Sequence, residues 1–254
     1  MGLQARFLKV LPEWDELPGV MRCDEVRVYF RQLSQKRGQL IVKRIFDIYA
    51  AAVLLAVFSP VMLASAIAVS AESEGGAIFR QRRVTQGGRV FGILKFRTMY
   101  AADPKNMPLV TARGDTRITR VGRVLRRLRI DELPQLINVL AGDMTLVGTR
   151  PEVEKFVRKY TPEMLATLLL PAGMTSAASV RFRDEEALLD FSDDPEREYA
   201  EHVLPEKMRL NLDYLRNFSL FCDAVIIAQT AAAAVSLASR ELFRSRCRYA
   251  SKKL

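Results

Sequence analysis

The apolar positions of this chain change pattern along its length, and each pattern predicts a different element. From Ile45 to Ser70 nearly every residue is apolar. As a helix these roughly 26 residues would reach about 39 Å, enough to cross a bilayer. Asp47 lies near the entry end, and Ser59-Pro60 falls at the middle. Proline removes a backbone donor and its ring clashes with the preceding turn, so the helix bends or breaks there. The Ser59 hydroxyl can satisfy a freed carbonyl. Between Ala77 and Met99 the pattern becomes two short strand-like runs around Gly87-Gly88, a hairpin. Beyond Asp115 it turns helical. Val121, Leu125 and Leu128 stand at i, i+4, i+7, and Leu133, Leu136, Ile137 and Leu140 at i, i+3, i+4, i+7, with Gly142 as a stop. Phe218–Ala238 is apolar again but contains Asp223 and Gln229, which suits an interfacial or packed helix better than a second span.

Charge sets the topology. Lys36, Arg37, Lys43 and Arg44 precede the long apolar run, and Arg80, Arg82, Arg83 and Arg89 follow it. Basic flanks favour the cytoplasmic side. A spanning helix would send one flank across, whereas a helix-break-helix that re-enters the same face keeps both inside. The re-entrant form is therefore expected. An ordinary kinked transmembrane helix and a buried helix of a soluble core are its alternatives.

Composition narrows the chemistry. The net charge of +10 and pI of about 9.8 suggest a polyanionic partner: nucleic acid, anionic lipid or a phosphorylated substrate. Three cysteines without a CxxC pair argue against a disulfide framework and a zinc site. A single histidine, His202, argues against a histidine metal centre or a Ser-His-Asp triad. Any metal should be a hard cation on oxygen ligands, such as magnesium.

The candidate chemistry lies between residues 95 and 151. Lys95 and Arg97 alternate with Phe96, which puts both cations on one strand face. Arg117, Arg120, Arg123, Arg126, Arg127 and Arg129 crowd one amphipathic helix, suited to anionic headgroups and to bidentate phosphate contacts. Asp131-Glu132 follow at once. Asp131 could be a helix N-cap. Among so many arginines it is the better candidate for a nucleophile or a magnesium ligand, and its pKa is expected to be lowered by those charges.

These stretches together resemble the bacterial sugar transferase family, the small monotopic phosphoglycosyl transferases. The resemblance rests on Lys43-Arg44-Ile45-Phe46-Asp47, Ser59-Pro60, Phe79-Arg80-Gln81-Arg82-Arg83, Lys95-Phe96-Arg97-Thr98-Met99, Asp131-Glu132-Leu133-Pro134-Gln135-Leu136 with Asn138-Val139-Leu140, and Leu146-Val147-Gly148-Thr149-Arg150-Pro151. It covers about residues 43–151 and continues more loosely through Pro171–Thr175 to the Phe218–Val235 region. Thr149 and Arg129 stand where the family commonly has proline and serine.

The resemblance implies an α/β, mostly helical fold. Residues 1–40 form a lead-in without a family match, read as separate and loosely ordered. Residues 41–72 form the re-entrant membrane hairpin. Residues 73–215 form a compact cytoplasmic catalytic domain with a short β-hairpin and amphipathic interfacial helices. Residues 216–254 form a membrane-associated or packed helix and a basic tail. It further implies transfer of a phosphosugar from a UDP-sugar to a polyprenol (undecaprenyl) phosphate with release of UMP, at the cytoplasmic face of the bacterial inner membrane. In that reaction Asp131 is the nucleophile and a magnesium ligand, Glu132 its partner, and Lys95, Arg97, Arg126 and Arg150 bind phosphate or substrate. Membrane lipids are expected partners and nucleic acid is not; a homodimer stays open. Two other classes compete: a membrane-anchored helix-turn-helix DNA-binding protein, and a non-catalytic membrane scaffold in which the carboxylates only cap.

Overall fold

The computed structural model describes residues 10–100, 115–183 and 194–233. The element order is α1 (Asp24–Ser34), α2 (Arg37–Glu72), a hairpin of β1 (Ile78–Val84) and β2 (Val90–Phe96), α3 (Arg120–Arg127), α4 (Gln135–Ala141), β3 (Met144–Val147), α5 (Glu154–Val157), β4 (Ala172–Thr175) and α6 (Ala177–Arg181). After a helical turn at Pro195–Glu198 and a π-helical stretch at Tyr199–Val203 come α7 (Leu204–Arg216) and α8 (Leu220–Ala233). The described protein is mostly helical, with one antiparallel and one parallel pair of strands. The hairpin runs from Ile78 opposite Phe96 to Val84 opposite Val90, with Gly87 and Gly88 at positive φ in its turn. In the second pair Met144 faces Ala172 and Val147 faces Thr175.

The apolar run forms one continuous helix, α2, and not two helices separated by a break. The Pro60 ring leaves the Ala56 carbonyl without its usual donor, and the Ser59 hydroxyl donates to that same carbonyl at 2.8 Å. Its most apolar stretch has mean hydropathy 2.4, and 11% of that stretch is buried. Val53, Val57, Phe58, Val61, Leu63 and Ile67 are exposed. Both limbs nevertheless pack on the same body. Ala51, Leu54 and Leu55 join a cluster with Phe91, Ile93, Leu136 and Val139. Met62, Ala66 and Val69 join another with Phe96, Val121 and Leu125. Ser59-Pro60 lies between the two contacts.

Both ends of α2 are also fastened by polar groups. Near its start Lys43, Arg44 and Asp47 are buried. Lys43 Nζ lies 2.7 Å from Asp223 of α8 and 3.8 Å from Asp47. The Arg44 guanidinium donates to the carbonyls of Val139, Leu140 and Met144, at and beyond the end of α4, where a cation suits the helix dipole. The Thr145 hydroxyl and the Leu146 amide donate to Asp47. At the far end both oxygens of Glu72 accept the Arg120 and Val121 amides at 2.8 Å, and so cap α3. Gly122 lies so close to strand-end backbone that a Cβ there would stand 2.2 Å from the Thr98 carbonyl oxygen.

The lead-in is neither separate nor loosely ordered over its described part. Leu11, Leu17, Met21, Val26, Tyr29 and Leu33 share the largest core cluster with Ala166, Leu169, Leu215 and Phe218. Charge and proline content hid this, because the buried face of α1 is only one stripe among polar residues. The α8 helix packs by Ile226 and Asp223 and exposes Phe221. The basic tail lies outside the described residues.

Candidate active site

Asp131 and Glu132 sit on a single 3-10 turn, Ile130–Glu132, wedged between α3 and α4. Pro134 starts α4 and Gly142, at φ 83°, ends it. The Asp131 side chain caps neither element: Asp131 is 9% exposed and its Oδ1 is buried without a hydrogen-bond partner. The capping alternative therefore fails. An unpaired oxygen on a buried carboxylate is costly, and such costs concentrate where a ligand or reaction uses the atom.

Its neighbour is the reverse. Arg150 binds both Glu132 oxygens, with Nη1 at 3.3 Å from Oε2 and Nη2 on Oε1. Lys95 Nζ adds a contact at 3.5 Å and Arg129 one at 3.8 Å. Burial alone would raise the Glu132 pKa, but Arg150 and Lys95 outweigh it and hold the carboxyl well below its usual range. For Asp131 burial wins, with the Glu132 charge adding to it, and the pKa rises to about 6 although Lys95, Arg126 and Arg129 pull it down. The sequence expectation of a lowered value is corrected here. The charges of Lys95, Arg126 and Arg129 act on Asp131 but do not offset its burial and the Glu132 charge. Lys95 is itself lowered to about 8, mainly by burial.

Neighbouring elements fix these groups. Asn138 of α4 pairs with β2 like a strand edge, accepting from the Leu94 amide at 2.9 Å and donating to the Gly92 carbonyl at 3.0 Å. That sets the register of Lys95. Gly173 and Gly148 bring β4 against the loop that carries Arg150, where a Cβ on Gly173 would stand 2.3 Å from Gly148 backbone. The Thr149 carbonyl accepts the Gly173 amide at 2.8 Å. Below the loop, Glu152 accepts from the Tyr199 hydroxyl at 2.5 Å, and Lys207 Nζ donates to the same hydroxyl at 3.2 Å.

The structure thus gathers Lys95, Arg150 and Glu132 about Asp131, with the Arg126 charge acting on it. Arg97 is turned elsewhere. Its guanidinium donates to the carbonyls of Ser73, Glu74 and Gly75 at the end of α2, the role of a helix C-cap and not of a phosphate ligand. The strand ends at Phe96, so Arg97 lies beyond it, and alternation alone could not show that the end of α2 captures its guanidinium. Sequence reasoning missed Gln135, which is fully buried with both amide atoms unpartnered one turn after Asp131. It stood inside a quoted motif, but nothing in the sequence marked its burial.

A magnesium ion needs one or two carboxylates, with waters and substrate phosphates completing its shell. No cluster of three or more acids, histidines or cysteines suited to a metal occurs among the described residues. The buried Asp131 Oδ1 and Gln135 Oε1 are oxygens of the right kind, so the donor set fits a cation shared with a phosphate ligand.

The helix-turn-helix reading fails on packing. Gln135, Leu136, Asn138 and Val139 of α4 are buried, and the exposed Ile137 cannot hydrogen-bond base edges. What stands here is a largely buried carboxylate pair among cations, in a chain that also carries a long, exposed apolar helix. The chain belongs to the bacterial sugar transferase family, whose profile matches residues 38–237. It is 40% identical over 191 residues to the UDP-glucose:undecaprenyl-phosphate glucose-1-phosphate transferase of Caulobacter vibrioides, covering 74% of this chain and 67% of that protein. It is 38% identical over 194 residues to the UDP-N-acetylgalactosamine-undecaprenyl-phosphate N-acetylgalactosaminephosphotransferase of Aeromonas hydrophila, covering 74% of this chain but 42% of the relative. The exopolysaccharide production protein ExoY of Rhizobium meliloti is 33% identical, with 75% of this chain and 84% of the relative covered.

Proposed function

We propose that this chain transfers a phosphosugar from a UDP-sugar to a polyprenol phosphate and releases UMP, by way of an ester on Asp131. The carrying observation is the buried Asp131 carboxylate, with an unpartnered oxygen, set beside a glutamate that already holds Arg150 and Lys95. In the first step an Asp131 oxygen attacks the sugar-side phosphorus. The bond from that phosphorus to the bridging oxygen breaks, and UMP leaves with the electron pair. In the second step a phosphate oxygen of the lipid attacks the same phosphorus, the bond to Asp131 breaks, and polyprenol diphosphosugar and free carboxylate result. A raised pKa suits the role: the group is ionised above about pH 6 and more basic than an ordinary carboxylate.

Arg150 and Lys95 present positive charge at the phosphates, and Glu132 fixes both in place. Asp131 and Gln135 would hold a magnesium ion together with substrate oxygens; when bound, that ion neutralises diphosphate charge. The names of the relatives support the two substrates, and they differ in the sugar.

The membrane reading rests on α2. Its middle is apolar and exposed while both limbs pack on one body, which favours re-entry at Ser59-Pro60 over spanning, and the basic residues on both flanks favour the cytoplasmic face of the inner membrane. That arrangement keeps Asp131 on the side of the nucleotide sugar.

The test is to supply UDP-sugar without lipid acceptor and examine the peptide containing Asp131 by mass spectrometry. A phosphosugar adduct on Asp131, with UMP released, is expected. Kinetics that require both substrates together and leave no adduct would sink the covalent route.

A further inference from the structure

Four polar side chains with little exposure take no part in the reaction proposed above. They are Arg83 of β1, Glu152 just past Arg150, Tyr199 of the π-helical stretch and Lys207 of α7. Glu152, Tyr199 and Lys207 are buried, and the Arg83 side chain is 19% exposed. Glu152 is their centre. Its Oε1 accepts from the Tyr199 hydroxyl at 2.5 Å, and its Oε2 lies 3.9 Å from Arg83 Nη1. Lys207 Nζ donates to the same hydroxyl at 3.2 Å and lies 4.9 Å from the centre of the Tyr199 ring. That ring packs on Phe156, 4.7 Å between centroids. Tyr199 also opens the π-helical turn, a rare form often found at functional sites. Buried ionic groups add little to stability, since apolar residues of like volume hold a core as well or better. What a satisfied network adds is one geometry in place of several.

Arg150 stands between two fastened points. Before it, the Thr149 carbonyl accepts the Gly173 amide at 2.8 Å. After it, Arg83 donates to the Pro151 carbonyl at 3.4 Å, the Val84 amide donates to the Glu152 carbonyl at 2.9 Å, and Tyr199 holds the Glu152 side chain. We propose that Glu152 is a positioning residue for Arg150: Tyr199 and Lys207 fix its carboxylate, and the carboxylate fixes the short loop from which the Arg150 guanidinium grips Glu132 and meets a phosphate. The phosphate partner rests on the reaction proposed above; the hold on Arg150 does not. The network adjoins the carboxylate turn, for the Arg83 charge acts on Lys95 and the Glu132 charge on Arg83. A bidentate fork tolerates little displacement, and a misplacement of about 1 Å can cost on the order of 10²-fold in rate.

Tyr199→Phe is the discriminating variant, because it removes one hydroxyl and keeps the ring on Phe156. Glu152→Ala is the larger lesion, and Glu152→Gln keeps an acceptor for Tyr199. Full-length protein in lipid nanodiscs is treated below its thermal midpoint with phenylglyoxal, which modifies accessible guanidinium groups. The peptides containing Arg150 and Arg44 are followed by mass spectrometry. Arg150 should be modified about threefold faster in Tyr199→Phe and about tenfold faster in Glu152→Ala, with Glu152→Gln between the wild type and Glu152→Ala. Arg44, bonded to the carbonyls at the end of α4, should not change. With UDP-glucose and UDP-N-acetylgalactosamine as donors, kcat for UMP release should fall roughly tenfold in Tyr199→Phe while KM moves less. In an Arg150→Lys background, which lacks the fork, the same change should cost less than about twofold. Arg150 modified at the wild-type rate in every folded variant, whatever the thermal midpoints, would overturn the positioning role. Faster Arg150 modification in a protein whose wild type releases no UMP from any UDP-sugar would keep that role and refute the reaction. UMP release with Arg150 modified equally in all variants would do the reverse.

Discussion

Lys43, Arg44, Asp47 and Asp223 at the root of α2, and Lys95, Arg150, Asp131 and Glu132 at the carboxylate turn, are each two bases and two acids withdrawn from water. In the first set every buried side-chain atom has a partner. Lys43 lies between two aspartates, Tyr214 donates to Asp223 at 2.7 Å, and Thr145 donates to Asp47. In the second set one acid takes nearly all the cations and the other keeps an empty oxygen. Burial raises the pKa of the unserved acid while paired charge lowers that of its neighbour. A satisfied cluster fastens elements together; an unsatisfied one stores an interaction that only a ligand completes.

The largest effect that tests this contrast is on turnover. Asp131→Asn should fold and should lose activity by on the order of 10³-fold or more, since an amide cannot attack phosphorus. UMP release near the wild-type rate would remove Asp131 as the nucleophile. The same variant should be more stable at pH 7. The native Asp131 carboxyl titrates near 6 and the unfolded one near about 4, so the native state binds the proton more tightly and stability is lost as pH rises through that window. Asparagine removes that loss. Thermal midpoints should favour the variant at pH 7 and converge with the wild type below about pH 4. Lys43→Met should do the opposite. It strands two buried aspartates, which costs about 3 kcal/mol. The thermal midpoint should fall by several degrees, while the folded fraction keeps its rate within a few-fold.

Legibility in the sequence followed the same division. Period and punctuation revealed the hairpin, the helices α3 and α4, the Gly142 stop and the apolar helix, because each depends on neighbours within one turn or one strand; of the expected stripes, Leu125 and Leu136 are buried while Leu128 and Ile137 are exposed. Lys95, Glu132, Arg150 and Asp131 were found by motif, and the structure brings them together. Partners distant in sequence were not legible. Lys43 with Asp223, Arg44 with the end of α4, and Arg97 with the end of α2 look like a basic membrane flank and a basic strand until the chain is folded. The direction of the Asp131 pKa failed for the same reason: counting nearby arginines could not show which carboxylate they reach.

A smaller effect, of about one pH unit, concerns the coupling of the pair. The activity profile should be bell-shaped. It should rise through about pH 6 as the Asp131–Glu132 pair loses a proton and fall above about pH 8 as Lys95 is deprotonated. Glu132→Gln should lower kcat severely. It should also move the acid limb down, because the neighbouring negative charge that raises the Asp131 pKa is gone and Lys95 is released to it. An acid limb that stays near pH 6 in this variant would show that burial alone sets the value.

The smallest effect should come from Pro60→Ala, and it probes the satisfied cluster through topology. Single cysteines at Gln39 and Glu74 report the two ends of α2 to a membrane-impermeant thiol reagent, in a background lacking the native cysteines. Labelling of both from one side is expected for the wild type, and labelling from opposite sides would refute re-entry. Alanine restores the donor to the Ala56 carbonyl, which Ser59 now serves, and removes the ring clash. A helix of this length, freed of the proline, is long enough to span. Spanning, however, would tear one limb from the domain: the Lys43, Arg44 and Asp47 contacts at one end, or the Glu72 cap on α3 and the Arg97 clasp at the other. A basic flank would also have to cross. Only a minority of molecules should therefore convert, with activity lost in proportion, because an inverted limb carries Asp131 away from the nucleotide sugar. Adding Arg97→Ala should raise that minority, since it loosens the far end without touching the carboxylate pair.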